Sequence, residues 1–158
     1  MSDADTSSAI SWTIHCDGTA LPNPGRMGIG AVLTAPDGTR HTLSQATGMH
    51  GCNNEAEARA LIAALRLLQN IGAENAALHI RSDSSVLVAQ LGGAAPIVRL
   101  TDVFDEARQL LQQFGNARLS WVPRHRNSEA DALARAALGL PSKAGVKPRP
   151  KKRRSRRK

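Results

Sequence analysis

Four carboxylates stand where predicted strands end or predicted helices begin. Asp17 and Asp83 each directly follow a short segment with the alternation of a β-strand, whereas Glu57 and Asp131 lie in the first turns of amphipathic segments. Taken singly, each acid is ordinary in a turn, at a helix end or on a surface. Clustered carboxylates repel one another, however, and a divalent cation with oxygen ligands relieves that repulsion. Together the four acids predict a site for a hard metal ion.

The long amphipathic segment fixes which of its acids faces the core. Glu57 precedes Leu61, Leu65 and Leu68 by four, eight and eleven residues, so its side chain is in line with the inward stripe of a helix. An inward acid on an apolar helix face is unfavourable unless it is paired or bound to a metal. Glu55 lies about 200° away around the same helix, where we expect it to be solvated.

Five strands and four helices are predicted to position these acids. Alternation and turn residues predict strands over about 10–16, 28–35, 39–47, 76–82 and 119–121. Apolar periodicity predicts helices over about 53–70, 84–91, 98–114 and 128–138, the first of them capped by Asn53 or Asn54. An antiparallel meander followed by strand–helix alternation indicates an α/β fold, with a single mixed five-stranded sheet flanked by helices. If the first and fourth strands are parallel neighbours, Asp17 and Asp83 meet at one end of that sheet.

Positive charge is concentrated at the carboxyl end of the chain. The net charge is +8, but residues 143–158 carry ten Lys or Arg and no acid, leaving eleven basic residues against thirteen acids before them. We therefore expect a disordered N-terminus over 1–9, a folded domain over 10–140 and a disordered basic tail over 141–158. Basic tails of this kind commonly bind nucleic-acid phosphates, and Lys151-Lys152-Arg153-Arg154 is also typical of a nuclear localisation signal.

Several short motifs occur in order along the chain, from about Thr13 to Leu138. They are Cys16-Asp17-Gly18-Thr19 with Asn23-Pro24-Gly25, Asn53-Asn54-Glu55-Ala56-Glu57, Ser82-Asp83-Ser84, and Trp121-Val122-Pro123-Arg124-His125 with Asn127 and Ala130-Asp131-Ala132-Leu133-Ala134. In residue type, order and expected element they resemble the four motifs of type 1 ribonucleases H. One such motif alone is weak, whereas four in order are highly specific.

The resemblance implies the RNase H-like fold and hydrolysis of the RNA strand of RNA–DNA hybrids by an endonuclease. It implies two Mg²⁺ ions, for which Mn²⁺ can substitute, one activating water and the other stabilising the leaving oxygen. Asp17 then bridges the two ions, Glu57 and Asp83 share one of them, and Asp131 holds the other. The matching family histidine, His125, assists proton transfer or product release; as a loop residue beside two arginines it can also simply contact phosphate.

Further polar residues are assigned to the substrate by the same resemblance. Asn23, Asn53 and Asn54 are turn or cap residues by type, and in the family such residues also contact the minor groove, where a 2′-OH distinguishes RNA from DNA. Arg124 and Arg126 flank the histidine and are expected to contact phosphate.

Three departures from the family pattern bear on substrate affinity. Cys52 stands where relatives often have Thr or Ser, Ser85 stands where many have Gln, and the stretch 91–96 is short and uncharged where some carry a basic insertion. Two alternatives stay open: a nucleic-acid-binding module without activity, and another nuclease of the same fold.

The expected setting of the protein is the cytoplasm, in association with the nucleoid if the source is bacterial, with nuclear targeting by the tail as the alternative. No apolar run is long enough for a membrane span, and the acidic, polar start predicts no secretory signal. We expect a monomer that binds RNA–DNA hybrid and no membrane.

Overall fold

The structure is a computed structural model that describes residues 11–141. The N-terminal segment 1–9 and, apart from residue 141, the basic tail lie outside the described residues, so the disorder expected there stays a prediction. No helix among the described residues is long and apolar enough to cross a membrane.

One five-stranded sheet forms the centre of the domain, in the order β3-β2-β1-β4-β5. Its strands are β1 (Ser11–Leu21), β2 (Gly25–Thr34), β3 (Arg40–Gly51), β4 (Ala77–Ser82) and β5 (Asn116–Trp121). The first three strands pair antiparallel, whereas β4 pairs parallel with both β1 and β5. The predicted meander, the mixed sheet and the parallel pairing of the first and fourth strands are therefore confirmed. The first strand does not end at Asp17 as predicted but continues to Leu21, because its pairing with β2 extends that far.

Four α-helices flank the sheet. They are α1 (Asn53–Ile71), α2 (Ser85–Leu91), α3 (Thr101–Gln112) and α4 (Ser128–Ala137). The predicted helix over 98–114 is shorter than expected, because Val98–Leu100 forms a 3₁₀ turn before α3. A second 3₁₀ turn, Arg124–Arg126, precedes α4.

The predicted cap of the first helix is wrong. Helix α1 begins at Asn53, and the extended residue before it, Cys52, provides no side-chain cap. The Asn53 Oδ1 atom instead accepts a hydrogen bond of 2.7 Å from the Ala20 amide of β1. The asparagine therefore joins the helix to the central strand rather than closing its own first turn.

The two faces of the sheet are covered differently. The alternating apolar residues of β1 and β4, such as Trp12, Ile14 and Ile80, face a core that they share with α1 and α3. Helix α4 packs on β1, β2 and β3. Its approach to β2 is close, since a Cβ atom at Gly30 would lie 2.5 Å from the Ala130 carbonyl oxygen. Glycine in β2 therefore allows α4 to bring its acidic first turn near the central strand.

Candidate active site

Two of the predicted acids lie close together on neighbouring parallel strands: Asp83 directly follows β4, and Asp17 lies within β1. The pairing of β1 with β4 places His15 opposite Arg81. Continuing that register by two residues brings Asp17 beside Asp83, which directly follows β4. Asp17 is 4% exposed, so its carboxylate sits at the floor of the site.

Glu57 reaches the same place because β1 and α1 are in direct backbone contact. A Cβ atom at Gly18 would lie 2.1 Å from the Ala56 carbonyl oxygen, a distance that only glycine allows. The Gly18 amide donates a hydrogen bond of 3.2 Å to Glu57 Oε1. Glu57 is 9% exposed, which confirms the helix phase predicted from its spacing to the leucines.

The carboxylates converge in one open cleft. Oxygen atoms of Asp17, Glu57 and Asp83 lie within 4.8 Å of one another, a grouping that can hold a metal ion. Asp131, from the first turn of α4, lines the same cleft, whose volume is about 380 Å³. This donor set of carboxylate oxygens suits a hard divalent cation such as Mg²⁺, Mn²⁺ or Ca²⁺.

Burial and mutual repulsion raise the pKa of three of these acids. Burial, followed by the charges of Glu57 and Asp83, raises the pKa of Asp17 to about 11. Burial and the charge of Asp83 raise the pKa of Glu57 to about 8. The pKa of Asp83 is also raised, chiefly by burial, although Arg124 opposes the shift. A cation that binds here would displace protons, so the site is built to exchange protons for metal.

Asn127 holds α4 in position, although the sequence reasoning did not assign it to the site. Its Nδ2 atom donates a buried hydrogen bond of 2.9 Å to the Cys16 carbonyl oxygen, next to Asp17. The main-chain carbonyl oxygen of Asn127 accepts a hydrogen bond of 3.0 Å from the main-chain amide of Asp131. One residue thus links two carboxylates that are distant in sequence. The available signal was its place in the last motif, four residues before Asp131.

The predicted substrate residues divide among three neighbouring clefts. Asn53, Asn54 and Arg124 line the carboxylate cleft. Asn23 lies in an adjoining cleft, and its Oδ1 atom accepts a hydrogen bond of 3.0 Å from the Asn53 amide. The turn and helix-start roles of Asn23 and Asn53 are thus structural facts.

His125 and Arg126 are exposed and line a third cleft, together with His15 and Arg40 on the α4 side of the sheet. The structure therefore does not bring the predicted catalytic histidine into the carboxylate cleft.

Glu55 is less solvated than predicted. Its side chain is 18% exposed and forms an ion pair with Arg59 one turn along α1, at 2.7 Å. The predicted phase is correct, because the side chain points away from the carboxylate cleft. Its burial comes from Arg59 and from Gly51 of β3, contacts that the helical spacing alone does not contain.

The sequence is similar to known proteins over most of the described residues. The profile of a family described as reverse transcriptase-like matches residues 15–137. The chain is 38% identical over 128 residues to ribonuclease HI of Halobacterium salinarum, covering 78% of this chain and 62% of that protein. It is also 38% identical over 128 residues to the bifunctional protein Rv2228c of Mycobacterium tuberculosis, covering 79% of this chain and 35% of that protein. The chain thus spans only part of the length of these relatives.

The fold is likewise similar to a solved structure. The crystal structure of LC11-RNase H1 in complex with an RNA/DNA hybrid superposes with a TM-score of 0.74 at 32% sequence identity, covering 82% of this chain and 97% of that one. Family profile, sequence relatives and fold agree with the four motifs and the convergent acids. The chain belongs to the type 1 ribonuclease H family.

Proposed function

We propose that this protein is an endonuclease that hydrolyses the RNA strand of RNA–DNA hybrids with Mg²⁺. The observation that carries the proposal is the convergence of Asp17, Glu57 and Asp83 oxygens within 4.8 Å in an open cleft. The relatives named ribonuclease HI and RNase H1 support the same reaction class.

In this proposal the four acids hold two Mg²⁺ ions. By the family resemblance, Asp17, the most buried of them, would be the ligand shared by the ions, Glu57 and Asp83 would together hold one ion, and Asp131 would hold the other. When bound, the metal supplies an activated water and charge stabilisation for the leaving oxygen. The Gly18 amide holds the Glu57 carboxylate through Oε1, which fixes one oxygen and leaves the other for a cation.

The rim of the cleft is assigned to substrate. Asn54 is half-buried on the rim and its side chain makes no hydrogen bond among the described residues, so its side-chain amide is free to contact a base edge or a 2′-OH. Arg124 is exposed beside Asp83 and is assigned to a phosphate. Asn23 and Asn53 serve the rim by ordering the backbone of the loop and the helix start.

His125 and Arg126 are proposed to act on the strand as it leaves the cleft. They lie on the exposed 3₁₀ turn Arg124–Arg126, one and two residues beyond the arginine that lines the carboxylate cleft. A small change in this turn would carry the histidine toward the reacting phosphate. The role of His125 in proton transfer or product release therefore depends on the conformation of this turn.

A cleavage assay on a labelled RNA–DNA hybrid tests the proposal. We expect cleavage within the RNA strand in Mg²⁺ or Mn²⁺ and none in EDTA. Ca²⁺ should bind but support little turnover, because its looser coordination misplaces water and phosphate. Duplex DNA and a four-way junction serve as controls: equal cleavage of either would identify another nuclease of this fold. Hybrid binding without any cleavage would identify a binding module instead.

The basic tail is proposed to tether the enzyme to its polyanionic substrate. Residues 143–158 carry ten positive charges, whereas the part before them is nearly neutral. Contacts to phosphates away from the scissile bond contribute uniform binding, so deletion of 143–158 should raise KM strongly and change kcat little. It should also flatten the salt dependence by about 0.9 log units per lost phosphate contact on a B-form duplex. An unchanged KM and salt slope would favour a targeting role for the tail.

A further inference from the structure

The face of the sheet that carries Asp17 continues into a row of cationic side chains. Residues paired across β1, β4 and β5 share this face, because directly paired residues and residues two apart point the same way. One row contains His15, Arg81 and Ser120, and the next contains Thr13, His79 and Arg118. We name His15, His79, Arg81 and Arg118 the cationic strip.

The strip is open to solvent. Arg118 is exposed, and the other three residues are half-buried. Helix α4 packs on β1, β2 and β3. Strand β5 is an edge of the sheet, so the strip extends from beside α4 to that edge.

Among the described residues, Arg81 and Arg118 form no ion pair with an acid, whereas Glu129 acts on His15. Four of the eleven arginines there form ion pairs with acids, and two others donate to carbonyl oxygens near the end of α4. Arg81 and Arg118 have neither kind of partner. The pKa of His79 is lowered by burial and then by the charges of these two arginines, with no acid acting in the opposite direction. This arrangement is unfavourable in isolation and favours a bound polyanion.

The strip begins next to the carboxylates and leads away from them. Two residues along a strand span about 6.6 Å, so Arg81 lies about that far from Asp83, and His79 lies one further step away. Three neighbouring strands are about 10 Å across, the width of one nucleic-acid strand rather than of a duplex. Asn53 and Asn54 stand at the start of α1, on the other face of the sheet. A strand that leaves the duplex at the carboxylates could continue along the strip.

We propose that the cationic strip binds the phosphates of a single-stranded extension that continues from the hybrid beyond the cleaved region. This inference rests on the proposed function, because the cleavage site at the carboxylates defines where the strand comes from. Recognition is by charge and is independent of sequence, since the two rows offer arginine, histidine and hydroxyl groups and no Phe, Tyr or Trp ring for base stacking.

Binding measurements with the full chain test the strip without cleavage. The Asp17→Asn protein in Mg²⁺ is titrated with a labelled blunt hybrid and with the same hybrid carrying a single-stranded RNA extension at either end, at several salt concentrations. We expect one extension to tighten binding and to steepen the salt slope by about 0.7 per phosphate contacted. Adding Arg81→Gln and Arg118→Gln should remove about 1.4 of that slope, the equivalent of two contacts on a single strand.

Arg66→Gln is the matched control. Arg66 is an exposed arginine of α1 on the other side of the molecule, and its replacement removes the same charge. Arg118→Gln alone, at an exposed position of an edge strand, carries the test if the double variant does not fold, and should remove about half of the effect. The proposal is overturned if the extension gives no gain, if the gain survives both strip variants, or if Arg66→Gln removes it equally.

The proposed function is judged by a separate experiment. Wild-type cleavage of the blunt hybrid involves no extension, so its absence would refute the nuclease assignment whatever the strip does. Conversely, the wild type could cleave the blunt hybrid while the strip variants bind the extended hybrid as tightly as their parent does. That result would support the nuclease assignment and overturn the proposal for the strip.

Discussion

Replacing Asp17 by Asn should stabilise the metal-free protein while abolishing cleavage. The Asp17 side chain is within hydrogen-bonding reach of Glu57 and Asp131, and burial together with the neighbouring charges raises its pKa from 3.8 to about 11. Asn has nearly the same shape, carries no charge at any pH, and can donate its amide protons to the remaining carboxylates. The variant should therefore keep the fold and lose the repulsion that the metal-free site contains.

The size of the effect follows from the pKa. Folded Asp17 retains a proton that the unfolded chain releases above pH 3.8. The free energy of unfolding then falls by about 1.4 kcal/mol for each pH unit above that value, so that the total loss is about 4 kcal/mol at neutral pH. In the variant Glu57 and Asp83 still repel each other, so the substitution recovers only part of this loss. We therefore expect it to gain at least about 1 kcal/mol at neutral pH, which is about 3 °C in Tm.

Thermal melting in EDTA at several pH values measures this gain. Since the pKa of Asp17 is raised on folding, the difference in stability between variant and wild type should vanish as the pH approaches 4 and should grow as the pH rises to neutral and beyond. Addition of Mg²⁺ should reverse the order, because the wild-type site binds the cation more tightly and gains stability from it.

Two results would refute the reasoning. One is an Asp17→Asn protein less stable than wild type in EDTA at neutral pH. The other is a difference in stability that stays constant between pH 4 and neutral pH, because that would mean that the charge of Asp17 is not what limits the metal-free fold.

Three further predictions concern the same site. Glu57→Gln should lose nearly all hybrid cleavage in Mg²⁺, whereas Glu55→Gln should keep it, because Glu55 pairs with Arg59 and does not line the carboxylate cleft; the reverse pattern would contradict the helix phase. Gly18→Ala should lower the free energy of unfolding by up to about 3 kcal/mol in a denaturant titration, since its Cβ would overlap backbone, whereas Gly115→Ala has open space and should be tolerated. Trp121 is 54% exposed and its indole donates to the Asp83 carbonyl oxygen at 3.3 Å, so Mg²⁺ should change its fluorescence, and Trp121→Phe should abolish that change.

Local periodicity was enough to predict much of this site. Glu57 could be assigned inward from its spacing to the leucines of α1, because helical phase depends on neighbouring residues only. Asp83 could be assigned to a strand end for the same reason, whereas β1 runs past Asp17 to Leu21 because its pairing with β2 continues there. The proximity of Asp17 and Asp83 required the parallel pairing of β1 with β4, which the order of elements permits but does not dictate.

Contacts between distant segments were beyond the sequence. The burial of Glu55, the use of the Asn53 side chain by β1 rather than by its own helix, and the link from Asn127 to Cys16 all depend on tertiary packing. The separation of His125 from the carboxylate cleft depends on a 3₁₀ turn that no periodic pattern marks. Each of these differences arises where a polar side chain bonds to a residue far away along the chain.

The hydrogen bond between Asn127 and Cys16 joins residues 111 positions apart, and it has a consequence for protein synthesis. A ribosome releases β1 early, but the helix that brings Asp131 is among the last of the described segments to emerge. Until that helix docks, the nascent chain has at most three of its four carboxylates. If the proposed function is correct, the nascent chain should therefore be unable to cleave nucleic acid before α4 docks, and so should a product truncated before α4.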